Sequence, residues 1–212
     1  MLKTINKVIK ILIASDFVLN SGWGLLAPVF AIFLVQKIAF GNPAQGAEIA
    51  GFASLTYWIV KSFLQIPIGG YLDKKHGEKD DFWFMVFGTF LTGITPFGFL
   101  FSSLSWHIYI FQVLHAIGMA MVVPSWAAIF TRHIDKGKEA FEWGTESTSL
   151  GFGAGIAGAI GGILVALFGF NVIFILVGTF NMISASLLLL IHKEIAPRDK
   201  NFPPIFPFRF PF

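Results

Sequence analysis

The sequence predicts an all-α membrane protein with six transmembrane helices, and three observations carry that prediction. Hydrophobic residues make up 55% of the 212 positions and charged residues 13%, with a mean hydropathy of +0.74, whereas soluble domains hold about 25% charged residues. The apolar residues fall into six runs long enough to span a bilayer, at roughly 9–36, 47–72, 82–104, 106–131, 143–168 and 170–192. The cations lie between the runs. With a cytoplasmic N-terminus, thirteen fall inside (Lys3, Lys7, Lys10, Lys74, Lys75, Lys79, Arg132, Lys136, Lys138, Lys193, Arg198, Lys200, Arg209), Lys37 falls outside, and Lys61 lies within a span. This bias predicts an inner (plasma) membrane protein with both termini cytoplasmic in every copy. It also accounts for the net charge of +3 without nucleic acid. The absence of Cys removes disulfides and thiolate chemistry, and five His in no ligand spacing give no metal centre or cofactor site. The first run is too long for a signal peptide and has no small-residue cleavage site, so it is expected to be retained.

The first span places Asp16, Asn20, Trp23, Gly24 and Ala27 at helical spacing ahead of LLAPVFAIFL. In the second, Ser54, Trp58, Lys61 and Gln65 stand at i, i+4, i+7 and i+11, one helix face. Lys61 is expected roughly 16 Å deep, where a lysine costs about 2.5–3.5 kcal/mol. Either it faces a wet cavity, with Asp16 or Glu146 as counter-charge, or it snorkels to the surface. The third span, with Thr89, Thr92, Thr95 and Pro96 among phenylalanines, reads as a lipid-facing scaffold helix. The fourth carries Gln112, His115, Met119 and Trp126 on or near one face. His115 is either a group titrating near neutral pH or a hydrogen-bonded neutral core residue. A mixed-charge loop, RHIDKGKEAFEW, is expected at 132–143. In the fifth span Glu146 precedes GFGAGIAGAIGG, whose Gly151, Gly153, Gly155, Gly158, Gly161 and Gly162 read as a small-residue packing surface. Apart from Thr179, Asn181, Ser184 and Ser186, the sixth is apolar. The chain divides into a six-helix domain, 1–193, and a Pro/Phe-rich tail, 194–212, cytoplasmic or on the membrane surface.

Between the second and third runs, IPIGGYLDKKHGEK ends an apolar helix in a charged loop. It resembles the Major Facilitator Superfamily signature Gly-x-x-x-Asp-Arg/Lys-x-Gly-x-Arg/Lys-Arg/Lys through Gly69, Asp73, Lys74, Gly77 and Lys79, with one extra residue between Asp73 and Gly77. The first-span run from Asp16 through Gly22, Gly24, Leu25, Pro28 and Val29 is similar to drug-exporting members, the tetracycline antiporters among them. QVLHAIG resembles the fourth-helix signature Arg-x-x-Gln-Gly, with Gln112 where the family often has Arg and His115 where it has Gln. Gly153, Gly161 and Gly162 align with the antiporter signature Gly-x-x-x-Gly-Pro-x-x-Gly-Gly, whose central Gly-Pro is here Ala157 and Gly158.

The resemblance implies a three-plus-three inverted-repeat bundle, one half of a twelve-helix member. It implies that the first and fourth helices line the cavity, the second and fifth form gates, and the third and sixth are scaffold. The function expected is that of a half-size secondary transporter, moving a small solute by alternating access as a parallel homodimer in lipid. Asn20, Trp23, Trp58, Lys61, Gln65, Gln112, His115 and Trp126 are the expected substrate cavity. Asp16, His115 and Glu146 are the expected proton-coupling groups, and Gly69, Asp73, Lys74 and Gly77 the gate. Asp73 is expected to latch onto a partner's fifth helix near Trp143 and Gly144. The alternatives are one half of a heterodimeric split transporter and a non-transporting membrane assembly subunit. An intramembrane enzyme is not expected, since neither a Gly-x-Ser-x-Gly elbow nor a paired intramembrane Asp motif is present.

Overall fold

The computed structural model describes residues 5–74 and 77–195. Lys75 and His76 of the expected loop and the tail from residue 196 onward lie outside the described residues.

Six helices long and apolar enough to cross a membrane follow one another. α1, Lys7–Leu26, starts where the Asn6 side chain accepts from Val8 N–H at 2.8 Å. It stops at Pro28, which has no N–H to continue the ladder. The span then resumes as α2, Phe30–Phe33, and a π-helical turn, Leu34–Ile38, so the first run is broken rather than continuous. Phe40 and Gly41, at φ +48° and +87°, reverse the chain. α3, Pro43–Lys74, runs 32 residues through Pro67, about 48 Å, with Pro43 at the first position, where a missing N–H costs nothing. α4 covers Glu78–Leu100, α5 Ser105–His133 and α6 Glu139–Phe168. α7, Phe170–Leu188, ends in a 3₁₀ turn, Leu189–Ile191.

The mixed-charge loop expected at 132–143 shrinks to 134–138. Helix ends explain the correction: Arg132 and His133 complement the C-terminus of α5, and Glu139 and Glu142 the N-terminus of α6.

The helix contacts are symmetric. α1 packs on α6 and α7, α5 on α3 and α4, and α4 on α7. Exchanging the first span with the fourth, the second with the fifth and the third with the sixth maps this set onto itself. Spans three apart run in opposite directions, so the bundle is a three-plus-three inverted repeat. One apolar cluster, around Phe33, Phe99, Ile108 and Phe174, fills the end near the α4–α5 connection. The other, around Ile9, Leu12, Phe82, Met85 and Phe130, fills the end near the α5–α6 connection.

Burial shares the symmetry. Only 11% of the most apolar window of α3 and 17% of that of α6 are buried, against 39–56% in the other four spans. α4 is the most buried, which corrects its reading as lipid-facing: Thr89, Thr92 and Thr95 are inside the bundle. Thr89 and Thr92 are tolerated there because their hydroxyls reach carbonyls one turn back, Met85 O and Thr89 O, both at 2.8 Å, whereas the Thr95 hydroxyl has no partner among the described residues.

The glycines of α6 split into two faces. A Cβ on Gly153 would meet Ser21 Oγ at 2.7 Å, and one on Gly161 would strike the backbone of Leu25. Ala157, buried between them, packs toward Gly24 of α1. Gly151, Gly155 and Gly162 have nothing within 4 Å. Gly161→Ala is therefore expected to cost about 1–3 kcal/mol through overpacking against rigid backbone, whereas Gly155→Ala should change stability by no more than about 0.5–1 kcal/mol, in the stabilising direction. Thermal unfolding of the two variants in detergent checks this, and equal losses would refute the division into faces.

Candidate functional site

Between α1, α3 and α5 lies a cleft of about 570 Å³, within the range that holds small organic molecules. Asn20, Trp23 and Phe30 come to it from the first span, Ser54, Tyr57 and Trp58 from α3, and Gln112, His115 and Met119 from α5. Every expected helical face thus contributes. A slightly larger cleft, about 640 Å³, opens where α2 meets the α4–α5 and α6–α7 connections, near Lys37, Ser102 and Asn171. None of the expected site residues is among its lining.

A column of rings crosses the first cleft. Trp23 lies on His115 with centroids 4.0 Å apart and planes at 9°. Tyr57 covers the imidazole at 4.9 Å, and Trp58 meets Tyr57 edge-on at 5.2 Å. The Lys61 ammonium caps the column, 4.8 Å from the Trp58 centroid and 5.7 Å from that of Tyr57, a cation–π arrangement. His115 is packed by rings and makes no side-chain hydrogen bond among the described residues, which departs from the second of its two expected readings, the hydrogen-bonded core residue. Tyr57 was not foreseen. Its signal was adjacency to Trp58, although neighbours on a helix lie about 100° apart and only the cleft's breadth admits both.

Trp23 is held from behind. Its Nε1–H donates to Asn181 Oδ1 at 3.2 Å, and Asn181 Nδ2–H donates to Val177 O at 2.7 Å; the Thr92 hydroxyl, whose single proton is shared with Thr89 O, lies 3.0 Å from the same Asn181 oxygen. Asn181 is fully buried. An Asn in the middle of a largely apolar sixth span was the available signal, and it fixes the orientation of a cleft residue rather than lining the cleft.

Asp16 and Glu146 do not serve as counter-charges to Lys61. They face each other across the α1–α6 contact, near enough to act on one another electrostatically. Asn20 Nδ2–H donates to Asp16 Oδ1 at 3.1 Å and to Asp16 O at 2.9 Å, so one amide touches both the carboxyl pair and the cleft. Lys61 has no acidic partner among the described residues. Neither Lys61 nor Gln65, one turn beyond it, is part of the cleft lining; Lys61 stands at its rim, joined to it through the Tyr57 and Trp58 rings. Trp126 is a correction: it stacks on Phe130 at 4.6 Å and 17°, with Trp143 6.0 Å away, near the α5–α6 connection. Eleven residues separate it from His115, and by then its side chain belongs to a different layer of the bundle.

At the gate, a Cβ on Gly69 would touch only Pro124, at 3.7 Å, and Asp73 and Lys74 are exposed. The expected latch of Asp73 onto the start of a fifth helix loses its footing. α6 begins at Glu139, so the N–H groups of Trp143 and Gly144 are used inside the helix, and the free first turn already carries Glu139 and Glu142. Next to Asp73, Asp81 is fully buried and ion-paired with Arg132, and Glu78 meets His133 at 3.3 Å.

The family model described as Major Facilitator Superfamily matches residues 12–212. The multi-drug resistance efflux pump PmrA of Streptococcus pneumoniae is 30% identical over 180 residues, 84% of this chain and 43% of that protein. An MFS-type transporter of Methanocaldococcus jannaschii is 27% identical over 171 residues, covering 81% and 42%. The PmrA homolog of Lactococcus lactis is 24% identical over 188 residues, covering 87% and 44%. The chain therefore spans rather less than half the length of the curated relatives it matches. The POT family transporter PepTSo superposes with a TM-score of 0.75 at 14% identity, over 93% of this chain and 39% of that one, a likeness of fold.

Proposed function

Since this multi-pass membrane chain belongs to the Major Facilitator Superfamily, we propose that it is one six-helix unit of a secondary transporter that moves a small solute by alternating access. One observation carries the reading. The symmetry-related α3 and α6 are the two spans left bare, and their bare surfaces include Ser54 and Ser62 on one and Ser147, Thr148, Gly151 and Gly155 on the other. Small and hydroxyl-bearing residues mark helix–helix interfaces in membranes, so a second six-helix unit covers these faces. In our reading the second unit is another copy of this chain, inserted in parallel with both termini cytoplasmic in the plasma membrane. α3 of each copy then meets α6 of the other. A separately encoded half in the same place is the alternative reading. Gly69, Asp73, Lys74 and Gly77 stand at the cytoplasmic rim of that interface and act as its gate, and proton coupling is assigned to the Asp16–Glu146 pair.

The test is a chain with Ser62→Cys and Gly151→Cys, each 12 residues from the cytoplasmic end of its helix. Native Cys is absent, and α3 and α6 do not pack on each other within one copy. Oxidation in native membranes should give disulfide-linked dimers, and the reduced protein in liposomes should carry solute. Monomers alone, without transport, would remove the homodimer.

A further inference from the structure

We propose that the cleft between α1, α3 and α5 takes a planar aromatic anion, with the ring stacked on Trp58 and the anionic group paired to the Lys61 ammonium. The inference rests on the reading of this cleft as the solute site, and names the class of solute. Three observations support it. No acidic side chain lines the cleft; Asp16, one turn from the lining residue Asn20, has its Oδ1 covered by the Asn20 amide. A cation entering the cleft would find no counter-charge, and the aromatic faces that would attract it are already held by Lys61. An anion meets the opposite situation. Lys61 is an ammonium without an acidic partner among the described residues, about 20 Å from the cytoplasmic end of α3, and a charge at that depth gains most from a partner.

The geometry also says what binding would do. Lys61 shields the face of Trp58, which is 56% exposed. Drawing the ammonium onto a carboxylate, sulfonate or phosphate group frees that face for the ligand's own ring. His115, packed by Trp23 and Tyr57, leaves no second gap in the column, so the stacking surface is the Trp58 side. Asn20, Ser54 and Gln112 stand along the wall to accept or donate to ring substituents. A flat, singly charged aromatic of one or two fused rings satisfies this lining, and a polyhydroxylated sugar would leave the ring faces unused.

The probes are three molecules of one shape, 2-naphthoate, 2-naphthamide and 2-naphthylmethylammonium, titrated into the full chain in lipid nanodiscs with tryptophan fluorescence as readout. Naphthoate is expected to bind at least about tenfold more tightly than the amide, as a charge-assisted pair should. Lys61→Gln should erase that difference while leaving the amide's affinity in place, and Lys61→Arg should restore it. The proposal is overturned if the cation binds best, if the naphthoate preference survives in Lys61→Gln, or if no probe binds below about 1 mM. Transport of naphthoate in liposomes is a separate arm: selective binding without transport upholds the site and refutes the transporter reading.

Discussion

Arg132→Met will destabilise the bundle by about 3 kcal/mol, the lower end of the range for stripping one partner from a buried ion pair. Asp81 is 1% exposed and accepts from the Arg132 guanidinium, while its other oxygen has no partner among the described residues. The pair joins the first turn of α4 to the last turn of α5, so each charge also sits at the helix end that favours it. Arg132 keeps a third of its side-chain surface in solvent, which holds the loss below the extreme. Without it, Asp81 would face Glu78 and Asp73, both close enough to act on it, with His133 beside Glu78. Unfolding in SDS or by heat measures the loss. The double variant Asp81→Leu/Arg132→Met should recover most of it, because replacing both partners by apolar groups removes the stranded charge. A double variant as unstable as the single one would show that packing, not charge, is at stake.

The six spans and their facing stripes were legible because a bilayer imposes length, and a helix imposes spacing, on the sequence itself. Those rules gave the stripes that hold Asn20, Trp23, Trp58, Gln112 and His115, the family resemblance gathered them into one expected cavity, and the fold brings them to one cleft. Partnerships between helices were not legible. Asp16 and Glu146 are 130 positions apart, and nothing in either span states that α1 lies on α6 at that depth; the depth of Lys61 alone made it look like their partner. The hydrogen bond from Trp23 to Asn181 spans 158 positions, and only packing reveals that this polar residue of a largely apolar span orients a ring elsewhere. The glycine run of α6 failed differently. Its composition was read correctly as a packing surface, but a helix turns 100° per residue, so Gly153 and Gly161 face α1 while Gly151 and Gly155 face away. Trp126 shows the limit of a stripe: its spacing places it near the face of His115, while the bundle around its turn is filled by Phe130 and Trp143.

Glu146→Gln is expected to abolish accumulation of solute driven by a proton gradient while leaving downhill movement intact. Asp16 and Glu146 face each other across α1 and α6, near enough to act on one another, and Glu146 is 8% exposed. Two neighbouring carboxyl groups out of water repel when both are ionised, so in the proposed transporter the pair is assigned to hold one proton and release it. A glutamine supplies an amide donor to Asp16 in nearly the same volume, which preserves the α1–α6 contact but leaves nothing to titrate at position 146. The Asn20 amide joins the pair to the cleft wall, giving protonation a route to the solute site. Loss of the proton leaves two like charges at close range, which favours separation of α1 from α6 and thereby a different packing of the bundle. One proton moved per solute across one pH unit supplies about 1.4 kcal/mol, enough for roughly tenfold accumulation. Liposomes with an imposed gradient of one pH unit should show that accumulation in the parent protein and none in Glu146→Gln or Asp16→Asn. His115→Phe, which keeps the ring column and removes the imidazole, should still accumulate solute. Accumulation unchanged in both carboxyl variants but lost in His115→Phe would move the coupling group to the imidazole and end the role of the pair.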